Sequence, residues 1–178
     1  MKPRFLRFVA AACLTRLLSA ALTAADLQTE QHYLSGRGPK DAVPWEFSVT
    51  AGRRAGEWST IPVPSQWELQ GFGTYNYGQE PVAKSAEHGL YRLRFGAPDA
   101  WKGRVIRLVF EGVMTDASVK VNGKSVGPVH QGGFYRFSYD VTPLLKPGTD
   151  NLLEVDVAKV SANADTESAE RGGDYWVF

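Results

Sequence analysis

Apolar and polar residues alternate with a period of two in several short segments from residue 42 onward. In residues 90–95, Tyr91, Leu93 and Phe95 alternate with two arginines, which is the pattern of an antiparallel strand with one buried face. The same alternation occurs at 106–110, 135–139 and 153–157. No long stretch of this region has apolar positions at helical spacing. The pattern therefore predicts a mainly β protein.

Turn residues separate these segments. The strand that ends at Val121 leads into Asn122-Gly123, a pair that tolerates positive φ at both central positions of a two-residue hairpin. A return strand is therefore expected to begin near Lys124. Residues 140–145 predict a single helical turn, which Lys146-Pro147-Gly148 should end.

Short strands with turn signals about every 8 to 12 residues indicate an all-β fold, specifically an antiparallel β-sandwich. A parallel α/β fold is disfavoured because no segment is suited to a crossover helix. Periodicity does not separate a jelly roll from an immunoglobulin-like topology. The polar stretch 159–173 predicts a loop of 15 residues. The apolar pattern resumes at 174–178, so we expect that the closing strand of the sandwich is missing.

The first 25 residues have the three parts of a secretory signal. Basic residues are followed by an apolar run over 5–14 and by small residues up to Ala25. This predicts a signal peptide at 1–25, an N-terminal extension at 26–41 and a folded domain at 42–178. The protein is expected in a bacterial periplasm or outside the cell.

Two residues of this segment leave alternatives open. Arg16 interrupts the apolar stretch, which leaves an internal start codon or an uncleaved amphipathic anchor as other interpretations. Cys13, the only cysteine in the sequence, is either a lipid-attachment site or a small apolar residue within the signal.

The charge balance disfavours an electrostatic binder of nucleic acid. The formal net charge is +1, but four basic residues lie in the first 25 positions, and the rest of the chain has 16 basic against 19 acidic residues. A phosphate-binding surface would need an excess of basic residues. We expect no nucleic-acid partner, and no later stretch is long and apolar enough for a membrane span.

Few residue patterns suggest catalysis or metal binding. His32, His88 and His130 are far apart in the sequence, so no metal site is predicted. Glu111 and Asp116 are a conceivable pair of glycosidase carboxylates. Solvated carboxylates at a strand end and in a turn are the simpler interpretation. The sequence predicts no catalytic residue.

The segment 62–78 contains four aromatic residues between prolines and glycines. Rigid turns of this kind can hold flat rings and an amide at a rim, where the C–H faces and hydroxyls of a sugar can bind. Trp67 and Phe72 are expected to fill the edge of the core. For Tyr75, Asn76 and Tyr77 the sequence leaves packing and sugar contact as alternatives.

Several motifs, in this order and spacing, resemble the amino-terminal sugar-binding domain of glycoside hydrolase family 2, which includes β-galactosidases, β-glucuronidases and β-mannosidases. The resemblance covers roughly residues 45–178. The motifs are Ile61-Pro62-Val63-Pro64-Ser65-Gln66-Trp67, Gly89-Leu90-Tyr91-Arg92, Phe110-Glu111-Gly112-Val113 followed by 119–124, Phe137-Ser138-Tyr139-Asp140-Val141-Thr142, and Gly173-Asp174-Tyr175-Trp176-Val177-Phe178.

The resemblance implies a galactose-binding-domain-like jelly roll with carbohydrate as its ligand. It implies retaining hydrolysis of O-glycosyl bonds by two glutamates on a separate (β/α)₈ barrel, supplied in cis or in trans, so this chain alone is not expected to catalyse. By resemblance, Asn76 and Asp174 line a sugar subsite, and a monovalent cation lies near Asp174 in a full-length enzyme. Asp174 capping a turn is the alternative. A free-standing carbohydrate-binding module is the alternative function.

Overall fold

The computed structural model describes residues 29–75 and 86–172, and the chain divides into two units, Met1–His32 and Tyr33–Phe178. Of the first unit, residues 29–32 are described. In that segment His32 Nε2 lies 2.6 Å from Glu30 Oε1.

Antiparallel strands dominate the described part of the second unit. The strands are β1 (Val43–Val49), β2 (Ser59–Val63), β3 (His88–Gly96), β4 (Arg107–Phe110), β5 (Asp116–Val121), β6 (Lys124–Ser125), β7 (Phe137–Asp140) and β8 (Asp150–Ala158). A 3₁₀ turn spans Asp99–Trp101, and the helix α1 spans Ala164–Gly172. One sheet has the order β2-β1-β3-β8-β5-β6, and a second sheet pairs β4 with β7. The predicted all-β antiparallel sandwich is confirmed.

The alternation of apolar residues sets which face of the large sheet is buried. Phe47, Tyr91, Val155 and Val119 are neighbours in one row across β1, β3, β8 and β5, and they share the core face because side chains alternate along each strand. Alternate residues of β4 and β7 pack against this core from the other sheet, namely Leu108, Phe110, Phe137 and Tyr139. The burial pattern predicted for 90–95 is therefore confirmed.

Aromatic rings fill one edge of the core around Phe47, which is fully buried. Its ring centroid lies 4.9 Å from that of Phe72, 4.7 Å from that of Tyr91 and 6.0 Å from that of Trp67. Trp67 and Phe72 are both buried, as the sequence predicted. Burial of a side chain of this size contributes about 1.5–3 kcal/mol.

The Asn122-Gly123 hairpin forms where it was predicted, between β5 and β6. Asn122 has φ 53° and Gly123 has φ 76°, the positive values that this turn requires. The Asn122 side chain also links the hairpin to β8, because its Oδ1 accepts from the Leu152 amide at 3.0 Å and its Nδ2 donates to Asn151 Oδ1 at 2.8 Å.

The expectation of a loop throughout 159–173 is wrong, because α1 occupies Ala164–Gly172. Asn163 caps the helix, since its Oδ1 accepts from the amides of Asp165 and Thr166 at 3.0 and 3.1 Å. The helix has almost no apolar residues, so it left no periodic signal in the sequence. The predicted helical turn at 140–145 is confirmed by the bond from the Leu145 amide to the Val141 carbonyl at 3.0 Å.

Candidate functional site

The segment that leads to Tyr75 is tightly turned and held from one side by Arg53. Within the segment, the Phe72 amide donates to the Trp67 carbonyl at 3.0 Å. The backbones of Arg53 and Gly73 exchange two hydrogen bonds of 3.0 and 2.9 Å. The Arg53 guanidinium donates to the Glu68 carbonyl at 3.1 Å. These bonds tie the segment to the loop that follows β1.

A buried cluster of three charged side chains lies beneath this segment. Lys159 Nζ is 3.0 Å from Glu68 Oε1 and 3.3 Å from Glu87 Oε1, and the three side chains are 3%, 3% and 1% exposed, respectively. Removing charges from water is costly unless they are paired and hydrogen-bonded. We call Glu68, Glu87 and Lys159 the Lys159 cluster.

Strand pairing brings two members of the cluster together. Glu87 directly precedes β3, Lys159 directly follows β8, and His88 is opposite Ala158 in the register of the two strands. The pairing continues one residue further, where the Lys159 amide donates to the Glu87 carbonyl at 2.9 Å. The two side chains therefore meet as a cross-strand pair of opposite charge.

The cluster fixes the backbone of Thr74, one residue before Tyr75, through two hydrogen bonds that we call the clamp on Thr74. The Thr74 amide donates to Glu87 Oε2 at 3.0 Å, and Lys159 Nζ donates to the Thr74 carbonyl. Glu87 also accepts from Trp67 Nε1 at 2.9 Å. Gly73 has φ 63°, and a Cβ at this position would overlap the Glu87 carboxylate, so the close approach depends on glycine.

A second buried carboxylate anchors the segment that runs from β8 to α1. Asp116 accepts from Ser161 Oγ at 2.6 Å, from the Ala162 amide at 2.8 Å and from Gln131 Nε2 at 3.0 Å. Asp116 is 6% exposed, so the interpretation of this residue as a solvated carboxylate is wrong. Glu111 is exposed and pairs with Arg136 at 2.7 Å. Neither arrangement is that of a glycosidase pair across a cleft.

The cluster also affects the ionisation of a core tyrosine. Burial raises the pKa of Tyr91, and the negative charge of Glu68 raises this pKa further. The Tyr91 side chain is therefore neutral in the folded protein at physiological pH, which suits its place against Phe47 in the core.

Of the four predicted sugar-binding residues, only Tyr75 lies within the described residues. It is 54% exposed and directly follows the clamped Thr74. Asn76, Tyr77 and Asp174, with the cation expected near Asp174, lie outside the described residues, so their meeting at one site stays a prediction.

Sequence reasoning missed Glu87 and Lys159, the residues that fix the base of this segment. Each lies next to a strand, but nothing in the local sequence shows that these strands pair with each other. Once β3 and β8 are placed side by side, a glutamate before one and a lysine after the other become a recognisable signal.

Residues 29–75 and 86–172 contain neither a metal-ligand group nor a membrane-spanning helix. No group of three or more His, Cys, Asp or Glu side chains in these ranges is placed to hold a metal ion. No helix in the same ranges has the length and apolar character needed to cross a membrane.

One protein family matches the domain just described. The family model for "Glycosyl hydrolases family 2, sugar binding domain" matches residues 40–177. The chain belongs to the family of glycosyl hydrolase family 2 sugar-binding domains. The match covers the large majority of the chain and includes the Lys159 cluster and all four predicted sugar-binding residues.

Curated relatives are much longer than this chain. Beta-galactosidase BoGH2A of Bacteroides ovatus is 34% identical over 122 residues, which are 64% of this chain and 14% of that enzyme. A beta-glucuronidase of Formosa agariphila is 30% identical over 125 residues, which are 65% of this chain and 13% of that enzyme. The chain thus spans a small fraction of the length of these relatives.

A solved β-glucuronidase structure shares the fold. A β-glucuronidase from Ruminococcus gnavus, in complex with D-glucaro-d-lactam, superposes with a TM-score of 0.53 at 22% identity. The alignment covers 67% of this chain and 21% of that one. This likeness shows that the two chains share a fold over the aligned region.

Proposed function

We propose that this chain is the accessory sugar-binding domain of an exported family 2 glycosidase that hydrolyses O-glycosyl bonds. Tyr75, Asn76, Tyr77 and Asp174 are the proposed sugar contacts. The acid and the nucleophile are proposed to come from a separate catalytic barrel, in the same polypeptide or in a partner chain, so the chain alone does not cleave a glycosidic bond.

The observation that carries the proposal is the clamp on Thr74 within a domain of this family. Both polar groups of the Thr74 backbone bond to the Lys159 cluster, so the chain enters residues 75–77 from a fixed position. Lys159 also begins the segment that leads through α1 towards Asp174. The cluster thus fixes the start of the segment that carries Tyr75, Asn76 and Tyr77, and such preorganisation favours binding.

Sugar binding by the full chain tests the proposal. Saturation-transfer NMR with methyl β-galactoside and methyl β-glucuronide should show binding of at least one glycoside. Asn76→Ala and Asp174→Ala should each reduce the signal, because each removes hydrogen bonds to sugar hydroxyls. Asp99→Ala is the matched control, since the Asp99 side chain is 71% exposed and follows the end of β3 that is opposite to Glu87. Binding that is unchanged in both site variants would refute the assignment.

Activity assays test the proposed division of labour. The chain should not release nitrophenol from nitrophenyl glycosides, because the proposed contacts include no positioned pair of catalytic carboxylates. Turnover that is abolished by a substitution in this chain would contradict the proposal, whereas turnover that purification removes would not.

Export is tested by the mass and the amino terminus of the product from the native host. A polypeptide that begins at Asp26 is expected if the signal is cleaved after Ala25. A lipid-modified Cys13 at the amino terminus would instead show anchoring, and a retained Met1 in the cytoplasm would contradict export.

A further inference from the structure

The outer face of the six-stranded sheet carries a row of alternating charges. The strand register places Glu46, Arg92, Glu154 and Lys120 side by side across β1, β3, β8 and β5. Arg92 Nε lies 3.5 Å from Glu154 Oε1. This contact pairs two opposite charges on neighbouring strands in the middle of the row.

An exposed indole lies at one end of this row. Trp58 precedes β2 directly, and the guanidinium carbon of Arg92 lies 4.0 Å from the centroid of its ring. This cation–π contact fixes the ring against the sheet. Trp58 nevertheless remains 45% exposed, so a large part of an ordered aromatic surface is available to a ligand.

Together these residues line a shallow groove of about 170 Å³. The side chains that matter are those of Trp58, Arg92, Ser118, Lys120, Glu154 and Asp156. The groove is on the opposite face of the sheet from the Lys159 cluster, because Glu87 and Gly89 alternate with Leu90 and Arg92 along the chain. Gly89 is on the core face, where a Cβ would meet the Trp67 ring.

The chemistry of the groove selects a class of ligand. Arg92 and Lys120 donate hydrogen bonds, Glu154 and Asp156 accept them, and Ser118 does both. Their formal charges cancel, so the groove has no excess charge to attract an anion or a cation. A ligand that both donates and accepts at several points, and that has an apolar face for an indole, fits these groups best.

We propose that this groove is a second carbohydrate-binding site, which takes a neutral, hydroxyl-rich sugar through Trp58 and the charged groups of Arg92, Glu154 and Lys120. The site is independent of Tyr75 and Asn76 and does not rest on the function proposed for them. The sugar binds to the outside of the sandwich, so the groove can hold a polysaccharide while other residues contact the end of that polysaccharide.

Titration of the ¹⁵N-labelled full chain with cellobiose, lactose and mannobiose tests the site. The Trp58 indole resonance, assigned with Trp58→Phe, and the Ser118 and Lys120 amides should shift saturably with at least one sugar, with a dissociation constant on the order of millimolar. Trp58→Ala and Glu154→Gln should each weaken binding by about fivefold or more, since they remove a ring contact and a charged acceptor. Trp58→Phe, which keeps an aromatic face, should retain most of the affinity.

The same titration of Asn76→Ala separates the two proposed sites. The shifts in the groove should be unchanged in this variant, whatever its effect on binding near Tyr75. If the amide resonances of Trp58→Ala lose the dispersion of a folded protein, the same titration of Glu154→Gln and Lys120→Met tests the site. The proposal is overturned if no sugar of the three shifts the groove resonances at about 50 mM, far above a millimolar constant, or if the shifts persist in the groove variants.

Discussion

Replacement of Lys159 by methionine should destabilise the domain strongly. Methionine keeps most of the apolar stem but removes the ammonium group that lies 3.0 Å from Glu68 and 3.3 Å from Glu87. Two carboxylates that are 3% and 1% exposed would then lose their counterion, and the Thr74 carbonyl would lose a donor.

The expected magnitude follows from the burial of these groups. Removing one partner of a buried ion pair costs about 3–5 kcal/mol, because the other charge is left uncompensated. The lost hydrogen bond to Thr74 adds about 1 kcal/mol. Lys159→Met should therefore lower the free energy of unfolding by about 4 kcal/mol or more, which is a large part of the roughly 5–15 kcal/mol typical of a domain.

Urea unfolding of the full chain, followed by circular dichroism and tryptophan fluorescence, measures this loss. Lys102→Met is the matched control. Lys102 Nζ also lies close to a carboxylate, at 2.7 Å from Asp99, but the two side chains are 68% and 71% exposed. Exposed pairs of this kind contribute about 0–1 kcal/mol, so the control should unfold nearly as the unmodified chain does.

Two results would refute the reasoning about the Lys159 cluster. One is a loss in Lys159→Met no larger than that in Lys102→Met. The other is a coupling energy near zero between Lys159→Met and Glu68→Gln in a double-mutant cycle, because residues in one buried network should couple.

Three further predictions concern the sandwich. Gly89→Ala should cost about 1–3 kcal/mol in urea unfolding, since its Cβ would lie 2.5 Å from the Trp67 ring, whereas Gly96→Ala on the same strand has no atom within 4 Å and should change little. Because burial raises the pKa of Tyr91, the folded chain keeps a proton that the unfolded chain loses above about pH 10, so stability should fall there as pH rises; a fall just as steep in Tyr91→Phe would contradict this. Asn122→Ala should cost about 2–3 kcal/mol, as it removes hydrogen bonds to Leu144, Asn151 and Leu152, and an unchanged melting temperature would count against it.

The sequence predicted those parts of the fold in which local pattern and burial coincide. Residues 90–95 alternate because one face of β3 packs on the core, and Asn122-Gly123 makes a hairpin because of its own backbone preference. Both effects act over a few residues, so both are visible without a structure. The family resemblance supplied the topology, which the period of the strands does not determine.

What the sequence did not reveal depends on contacts between distant segments. The sequence of α1 has almost no apolar residues, and Asn163 caps the helix, so periodicity gave no sign of it. Asp116 is buried because the segment at 161–162 covers it. The Lys159 cluster needs the pairing of β3 with β8 before its charges can be recognised as partners. Of the predicted rim, the described residues include only Tyr75, which is exposed.

The clamp on Thr74 joins residues 85 positions apart in the chain, and this has a consequence for the order of folding. Contacts over such separations form after a long loop has closed, and closing it costs entropy that local hairpins avoid. The β5–β6 hairpin can form early, whereas the clamp needs β3 and β8 already side by side. Amide exchange at Thr74 should therefore require near-global unfolding. Thr74, the residue before Tyr75, therefore acquires its position late, from the pairing of β3 with β8.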